Sequence, residues 1–352
     1  MPRQDYLRSR FPTLGSRLPR MTLANLPTPL SEQSSRFDGT PRSLLVKHDE
    51  QSGSIYGGNK VRKLEYIFPR ASMRRCTRIA TFGAAGSNHA LATALHAKHA
   101  GFECTCFLSN QANTPLVAAT LNRHILNGTE LVRYGGDYAT RLRILRENLW
   151  GRHAWVVPLG GSSWLGTIGF VAAGLELADQ LAADNRQAPE RLYVAAGTMG
   201  TAAGIALGLV LAGLNTEVQA VRVSDTSIMN REALDRLLCK TVLMMRRYDA
   251  TVPDDLAKRT RIRIRDEFFA PGYARGTPAT AEAIAFAETA LGLQLETTYT
   301  AKAMAALLAD WRTGDDFSAL YWHTCNATAL DVPTDRPLDS AALPGEFLRY
   351  FD

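Results

Sequence analysis

The stretch Leu192-Tyr193-Val194-Ala195-Ala196-Gly197-Thr198-Met199-Gly200-Thr201 decides the fold. Its first half is an unbroken apolar run of strand length, and residues 202–214 continue it as a helix. A strand that passes through a glycine turn into a helix leaves the first-turn N–H groups free for an anion. Residues 197–201 suit a phosphate held by backbone N–H groups and the Thr198 and Thr201 hydroxyls. No charged residue occurs over 192–216, a length that spans a bilayer. Glycines at 197, 200, 204, 208 and 213 favour a buried strand–loop–helix unit over a membrane span. The loop lacks the lysine of a P-loop and the spacing G-x-G-x-x-G. Asp225, after the next strand at 218–223, keeps a dinucleotide-binding fold open. Close helix packing alone is the bland reading of the same glycines.

The alternation extends in both directions. Short strands are expected at 43–47, 78–82, 102–108, 130–134, 154–158 and 317–323. Helices are expected at 60–70, 88–98, 115–127, 138–149, 167–181, 231–240 and 302–312, and from Pro278 to 290 behind a Thr277 N-cap. This predicts an α/β protein with parallel sheets flanked by helices on both faces. The first fifty residues, dotted with proline, read as irregular. Residues 160–163, Gly-Gly-Ser-Ser, suggest a hinge between two such units. The run at 258–265 alternates arginine with apolar or hydroxyl residues, and reads as an edge strand with a basic, solvated face.

The composition agrees with a globular chain: 352 residues, 46% apolar and 21% charged. A net charge of +6 permits an anionic small ligand without arguing for nucleic acid. Five cysteines, with no C-x-x-C pair, exclude a disulfide framework and a structural zinc site; no metal site is expected. The N-terminus has no apolar signal-peptide core, so a cytoplasmic enzyme is expected.

Other loops carry chemistry. In Gly57-Gly58-Asn59-Lys60, glycines precede a lysine at a helix start, where an amine kept partly neutral can form a Schiff base. The bland alternative is a glycine turn before a basic helix. In Gly83-Ala84-Ala85-Gly86-Ser87-Asn88-His89, Ser87 can cap a helix whose start favours a carboxylate, with Asn88 and His89 in the same cleft. Glu296-Thr297-Thr298-Tyr299-Thr300-Ala301-Lys302 is a polar loop before a helix, with a tyrosine suited to proton transfer. Tyr321-Trp322-His323-Thr324-Cys325-Asn326 closes the last strand, at the strand ends where ligands bind.

Taken in order, these motifs resemble the pyridoxal-phosphate enzymes of the tryptophan-synthase-β fold (fold type II). Within that fold they resemble the D-cysteine desulfhydrase / 1-aminocyclopropane-1-carboxylate deaminase group. The resemblance runs from Leu26-Pro27-Thr28-Pro29-Leu30 to Thr324 and includes 160–167 and Gly272-Tyr273. It implies pyridoxal 5'-phosphate as cofactor and a small amino acid as substrate, with no nucleic-acid or membrane partner. It also implies a homodimer of two-domain subunits: 56–170 as the smaller domain, 1–55 with 171–352 as the larger. Lys60 is implied as the Schiff-base lysine. Gly197, Thr198, Met199, Gly200 and Thr201 are implied at the cofactor phosphate, Asn88 at the ring hydroxyl and Thr324 at the pyridine nitrogen. Ser87, Asn88, His89, Tyr299 and Thr300 are implied at the substrate, with Ser87 and Tyr299 also catalytic.

The deaminases carry Gln after Ser-Asn and Glu after the tyrosine. His89 and Thr300 follow the desulfhydrases, so β-elimination to a 2-oxo acid and ammonia is expected. Cyclopropane deamination, β-replacement and a non-catalytic cofactor carrier are the alternatives. Gly86 in place of Gln, Cys325-Asn326 of Gly-Gly, Ala301 and Met199 of Gly, and Trp164 of Pro depart from the group's pattern. Several of these are expected to line the pocket.

Overall fold

The computed structural model describes residues 5–269, 271–327 and 343–351. Its strands are β1 (Leu30–Phe37), β2 (Thr40–His48), β3 (Arg78–Ala84), β4 (Glu103–Ser109), β5 (Glu130–Arg133), β6 (Ala154–Val156), β7 (Arg191–Ala196), β8 (Glu217–Arg222), β9 (Ile262–Arg265) and β10 (Ala319–His323). The smaller sheet, in the order β5-β4-β3-β6, is parallel throughout. The larger sheet has the order β1-β2-β10-β7-β8-β9. It is parallel except for β1, which runs antiparallel to β2. The middle of the chain feeds one sheet and the segments on either side feed the other.

Two sequence expectations need correction. The first fifty residues are not irregular: they hold short helices Tyr6–Arg10 and Pro12–Arg17 and the β1–β2 hairpin. Asp38 and Gly39 turn that hairpin with φ of 47° and 77°, the doubly positive pair that a tight hairpin needs. The dipeptide Asp-Gly was the signal for it. The arginine run is not one strand either. Lys258 and Arg259 end the helix Leu256–Arg259, and only β9 is extended. β9 is a sheet edge, as expected, but Arg265 turns inward to pair with Asp310 at 2.8 Å.

The charge-free run is the buried strand β7 followed by the helix Gly200–Leu211. Among the described residues no helix is long and apolar enough to cross a membrane. The run is apolar because this helix packs backbone to backbone on the helix Trp164–Ala183. A Cβ at Gly208 would lie 2.4 Å from the Val171 carbonyl oxygen, and one at Gly204 would lie 2.5 Å from that of Thr167.

The helix Lys60–Met73 is buried from Val61 to Pro69, charged residues included. Arg62 bonds Asp49 at 2.7 Å and Glu176 at 2.9 Å, and Lys47 reaches Glu176 at 2.6 Å. Burial would raise the Glu176 carboxyl, but Arg62 and Lys47 hold it down at about 2. This paired cluster ties the end of β2 and the helix Trp164–Ala183 to the helix that begins at Lys60. Removing one partner would strand a buried charge, at a cost of about 3–5 kcal/mol.

Candidate active site

A cavity of about 890 Å³ opens between the two sheets, lined by residues at the C-terminal ends of β3, β4, β5 and β7 and by Val223 and Thr324 just beyond β8 and β10. Parallel strands leave their ligand sites at these ends. Lys60, Ser87, Asn88, His89, Gly197, Thr198, Met199, Thr201, Tyr299 and Thr324 all line it. Gly200 and Thr300 do not. Gly200 is buried and donates its N–H to Ser162 Oγ at 3.1 Å. Thr300 is 1% exposed, and its hydroxyl bonds the Glu296 carboxylate at 3.0 Å, so it supports the loop and does not face the cavity.

Lys60 is the first residue of its helix, and its amine makes no hydrogen bond or ion pair among the described residues. Burial pushes that amine down to about 8, which makes a neutral nucleophile accessible near neutral pH. Gly58, with φ 85°, lets this loop pass the end of β10, since a Cβ there would lie 2.7 Å from the Thr324 carbonyl oxygen. Asn59 N–H donates to that oxygen at 3.2 Å, and Gly57 N–H donates to Asn326 Oδ1 at 2.6 Å. Asn59 Nδ2 also donates to Thr201 Oγ1 at 3.1 Å, joining the lysine loop to the loop after β7.

In the loop after β7, Met199 caps the helix with φ 63° and no side-chain hydrogen bond. The N–H groups of Thr201 and Ala202 have no acceptor among the described residues. Lys63, one helical turn beyond Lys60, bonds the Gly160 carbonyl at 2.9 Å and Ser162 Oγ at 3.1 Å; Ser162 in turn meets Thr198 Oγ1 at 2.7 Å. Burial and the nearby Lys60 push the Lys63 amine well below its ordinary value.

In the loop after β3, Ser87 Oγ accepts from Ala90 N–H at 3.3 Å as the helix cap. The N–H groups of Asn88 and His89 have no acceptor among the described residues. Asn88 Oδ1 accepts from the Tyr56 hydroxyl at 3.1 Å. His89 bonds Thr81 Oγ1 at 2.9 Å, and burial, then Lys60 and Lys63, keep its imidazole neutral.

Tyr299 meets Tyr273 hydroxyl to hydroxyl at 2.6 Å, and burial pushes its phenol well above its ordinary value. Glu296 fixes this corner by accepting from the N–H groups of Thr298 at 2.7 Å, Tyr299 at 3.0 Å and Thr300 at 2.7 Å. Of the departures from the group's pattern, Met199, Cys325 and Asn326 line the cavity. Gly86, Ala301 and Trp164 do not; Trp164 stacks on Tyr248 with centroids 6.1 Å apart.

Sequence reasoning missed Tyr56, Lys63 and Gln111 as lining residues. Lys63 alone carried a signal, since three residues after Lys60 puts it on the same helix face.

An unbonded amine beside a helix start with open N–H groups and threonine hydroxyls suits a phosphorylated aldehyde. The sequence profile of the pyridoxal-phosphate dependent enzymes matches residues 21–319. The D-cysteine desulfhydrase of Salmonella paratyphi A is 31% identical over 331 residues, covering 90% of this chain and 96% of the relative. That of Serratia proteamaculans is 32% identical over 336 residues with the same coverage. The crystal structure of an ACC deaminase homologue superposes with a TM-score of 0.73 at 25% identity, covering 92% of this chain and 95% of that one. A threonine deaminase from T.th. shares the fold, with a TM-score of 0.59 at 18% identity, covering 93% of this chain and 99% of that one.

The chain belongs to the pyridoxal-phosphate dependent enzyme family, with fold type II architecture. Pyridoxal 5'-phosphate is its cofactor, and it is a lyase.

Proposed function

We propose that the protein eliminates the β-substituent of D-cysteine or a close analogue. D-Cysteine and water become pyruvate, ammonia and hydrogen sulfide. The bound cofactor supplies an electron sink for a carbanion at Cα. Lys60 would hold the cofactor through its amine and, when that amine is free, would take the Cα proton. Its low amine pKa supports that base role. The open N–H groups of Asn88 and His89, at the Ser87 cap, receive the substrate carboxylate. Asn88 would hold the ring hydroxyl and Thr324 the pyridine nitrogen. Thr198, Thr201 and the backbone at Gly197, Met199 and Gly200 would hold the phosphate.

Tyr299, protonated through burial and linked to Tyr273, gives a proton to the departing sulfur as the C–S bond breaks. His89 is neutral and adds no charge at the carboxylate. A smaller domain, 56–170, and a larger one, 1–55 with 171–352, are part of this reading; the middle of the chain feeding one sheet and its flanks the other supports it. A homodimer in the cytoplasm is the expected setting, by analogy with the family.

The observation that carries this reading is the unpartnered Lys60 amine in one cavity with two loops bearing open N–H groups. The test is release of sulfide and pyruvate by the purified holoenzyme with D- and L-cysteine. Sulfide from D-cysteine supports it. No sulfide from D-cysteine, with 2-oxobutyrate from 1-aminocyclopropane-1-carboxylate, assigns deamination instead.

A further inference from the structure

Gly86 leaves a gap in the loop that precedes the Ser87 helix, and a side chain from the neighbouring strand fills it. Gln111, two residues beyond β4, lies against Gly86: a Cβ at 86 would come within 3.0 Å of Gln111 Nε2. Gly86 N–H donates to Gln111 Oε1 at 2.9 Å. A backbone N–H can only donate, so this bond fixes the carboxamide orientation and leaves Nε2 as the group with donors to spare. Gln111 lines the cavity, and its Nε2 makes no hydrogen bond among the described residues. The amide therefore keeps a spare donor on a residue that lines the same cavity as Asn88 and His89 and is bonded to the loop two residues before Asn88.

The placement of Gln111 is fixed from the other end of the chain. Tyr350, in the short helical turn Gly345–Tyr350, accepts from Gln111 N–H at 2.9 Å and donates to Gln111 carbonyl oxygen at 3.0 Å. Arg349 donates to the same phenol oxygen at 3.0 Å. Phe347 is fully buried and anchors the turn in the core. A loop tip is ordinarily free to shift, but this reciprocal pair holds it as a ladder rung would.

We propose that Gln111 is a substrate-binding residue whose carboxamide N–H donates to the carboxylate of the amino acid, and that Tyr350 is its positioning residue. This rests on the reading that the carboxylate sits at Asn88 and His89. Three separate chain segments supply the elements of this arrangement.

The experiment is titration of the holoenzyme with D-cysteine and with an unreactive D-amino acid, D-alanine, followed by the cofactor's visible spectrum alongside steady-state turnover. Gln111→Glu keeps an acceptor for Gly86 N–H but replaces the donor with a negative charge. KM and the D-alanine Kd are expected to rise at least tenfold, with kcat within about threefold and cofactor content unchanged. Tyr350→Phe removes both bonds to Gln111 and is expected to raise KM about threefold in the same sense. Unchanged KM and Kd in Gln111→Glu overturn the proposal while the parent reading stands. If Gln111→Glu does not fold, unchanged values in Tyr350→Phe overturn it. If the wild-type holoenzyme binds neither amino acid, the carboxylate site itself is wrong, and the role of Gln111 falls with it.

Discussion

Two loops leave parallel strands, pass through glycine and start helices on the same cavity, yet they are finished differently. After β3, Ser87 caps its helix with its own oxygen, Gln111 takes the Gly86 N–H, and the N–H groups of Asn88 and His89 stay open among the described residues. After β7, Met199 sits in the left-handed region and gives no cap, while Thr201 and Ala202 stay open on a buried helix. Each loop thus keeps two helix-start N–H groups open among the described residues, and the difference lies in the cap: a side-chain oxygen at Ser87, none at Met199. On the proposed reading the first takes the substrate carboxylate and the second the phosphate of the resident cofactor. Asn59, bonded to Thr201, joins the loop that carries Lys60 to the second loop.

Lys60→Ala should have the largest effect, since it removes both anchor and base. Turnover is expected to fall about 10³-fold or more, with loss of the visible band at equal cofactor concentration. A retained band would break the assignment of the resident side. Next is Gly200→Ala, whose Cβ would lie 2.5 Å from Ser162 Oγ and 3.1 Å from Lys63 Nζ. Cofactor Kd should rise at least about tenfold, or 1.4 kcal/mol, by equilibrium dialysis. The D-alanine Kd of fully loaded enzyme should change much less; if it changes most, the division between the loops fails.

The pH dependence sharpens the resident side. In cofactor-free protein the Lys60 amine loses its proton through about pH 8. Only the neutral amine attacks an aldehyde, so the rate of cofactor recombination should climb about tenfold per unit below that value and level off above it. Stopped-flow absorbance reads this directly, and a flat profile from pH 6 to 9 would contradict the lowered amine.

Two smaller effects compare the caps. Met199→Gly relieves a left-handed φ worth about 1–2 kcal/mol, but Met199 is only 6% exposed and its burial contributes about 1.5–3 kcal/mol. The loss of burial wins, and denaturant unfolding should show a net loss of about 1 kcal/mol despite the family's usual glycine. Ser87→Ala removes a side-chain cap and should cost about 1 kcal/mol in the same measurement, with a modest rise in KM. A much larger stability loss at Ser87 than at Met199 would reverse the comparison.

The legible parts of this molecule were those encoded by neighbours in sequence. The helix that starts at Lys60, the caps at Ser87 and Thr277 and the strand–glycine–helix unit at Gly197 were read from spacing, and the structure has them. The hairpin at Asp38-Gly39 was legible but unread. Thr300 was placed at the substrate by likeness to the desulfhydrases, whereas its hydroxyl is held by Glu296 four residues earlier. The pairs Gly86–Gln111, Gln111–Tyr350 and Tyr273–Tyr299 left no local trace, because their members lie 25, 239 and 26 residues apart.

By itself the sequence determined the alternating elements, the two anion-ready helix starts and the lysine that faces them. Local periodicity, capping and glycine chemistry act over a few residues and survive any packing. Only the tertiary structure decided which N–H groups of those loops find partners, which hydroxyls pair and which side chain fills the space at Gly86. Those outcomes depend on burial and on partners from distant segments. Burial lowers the Lys60 amine and keeps the Tyr299 phenol protonated, and no spacing in the chain encodes it.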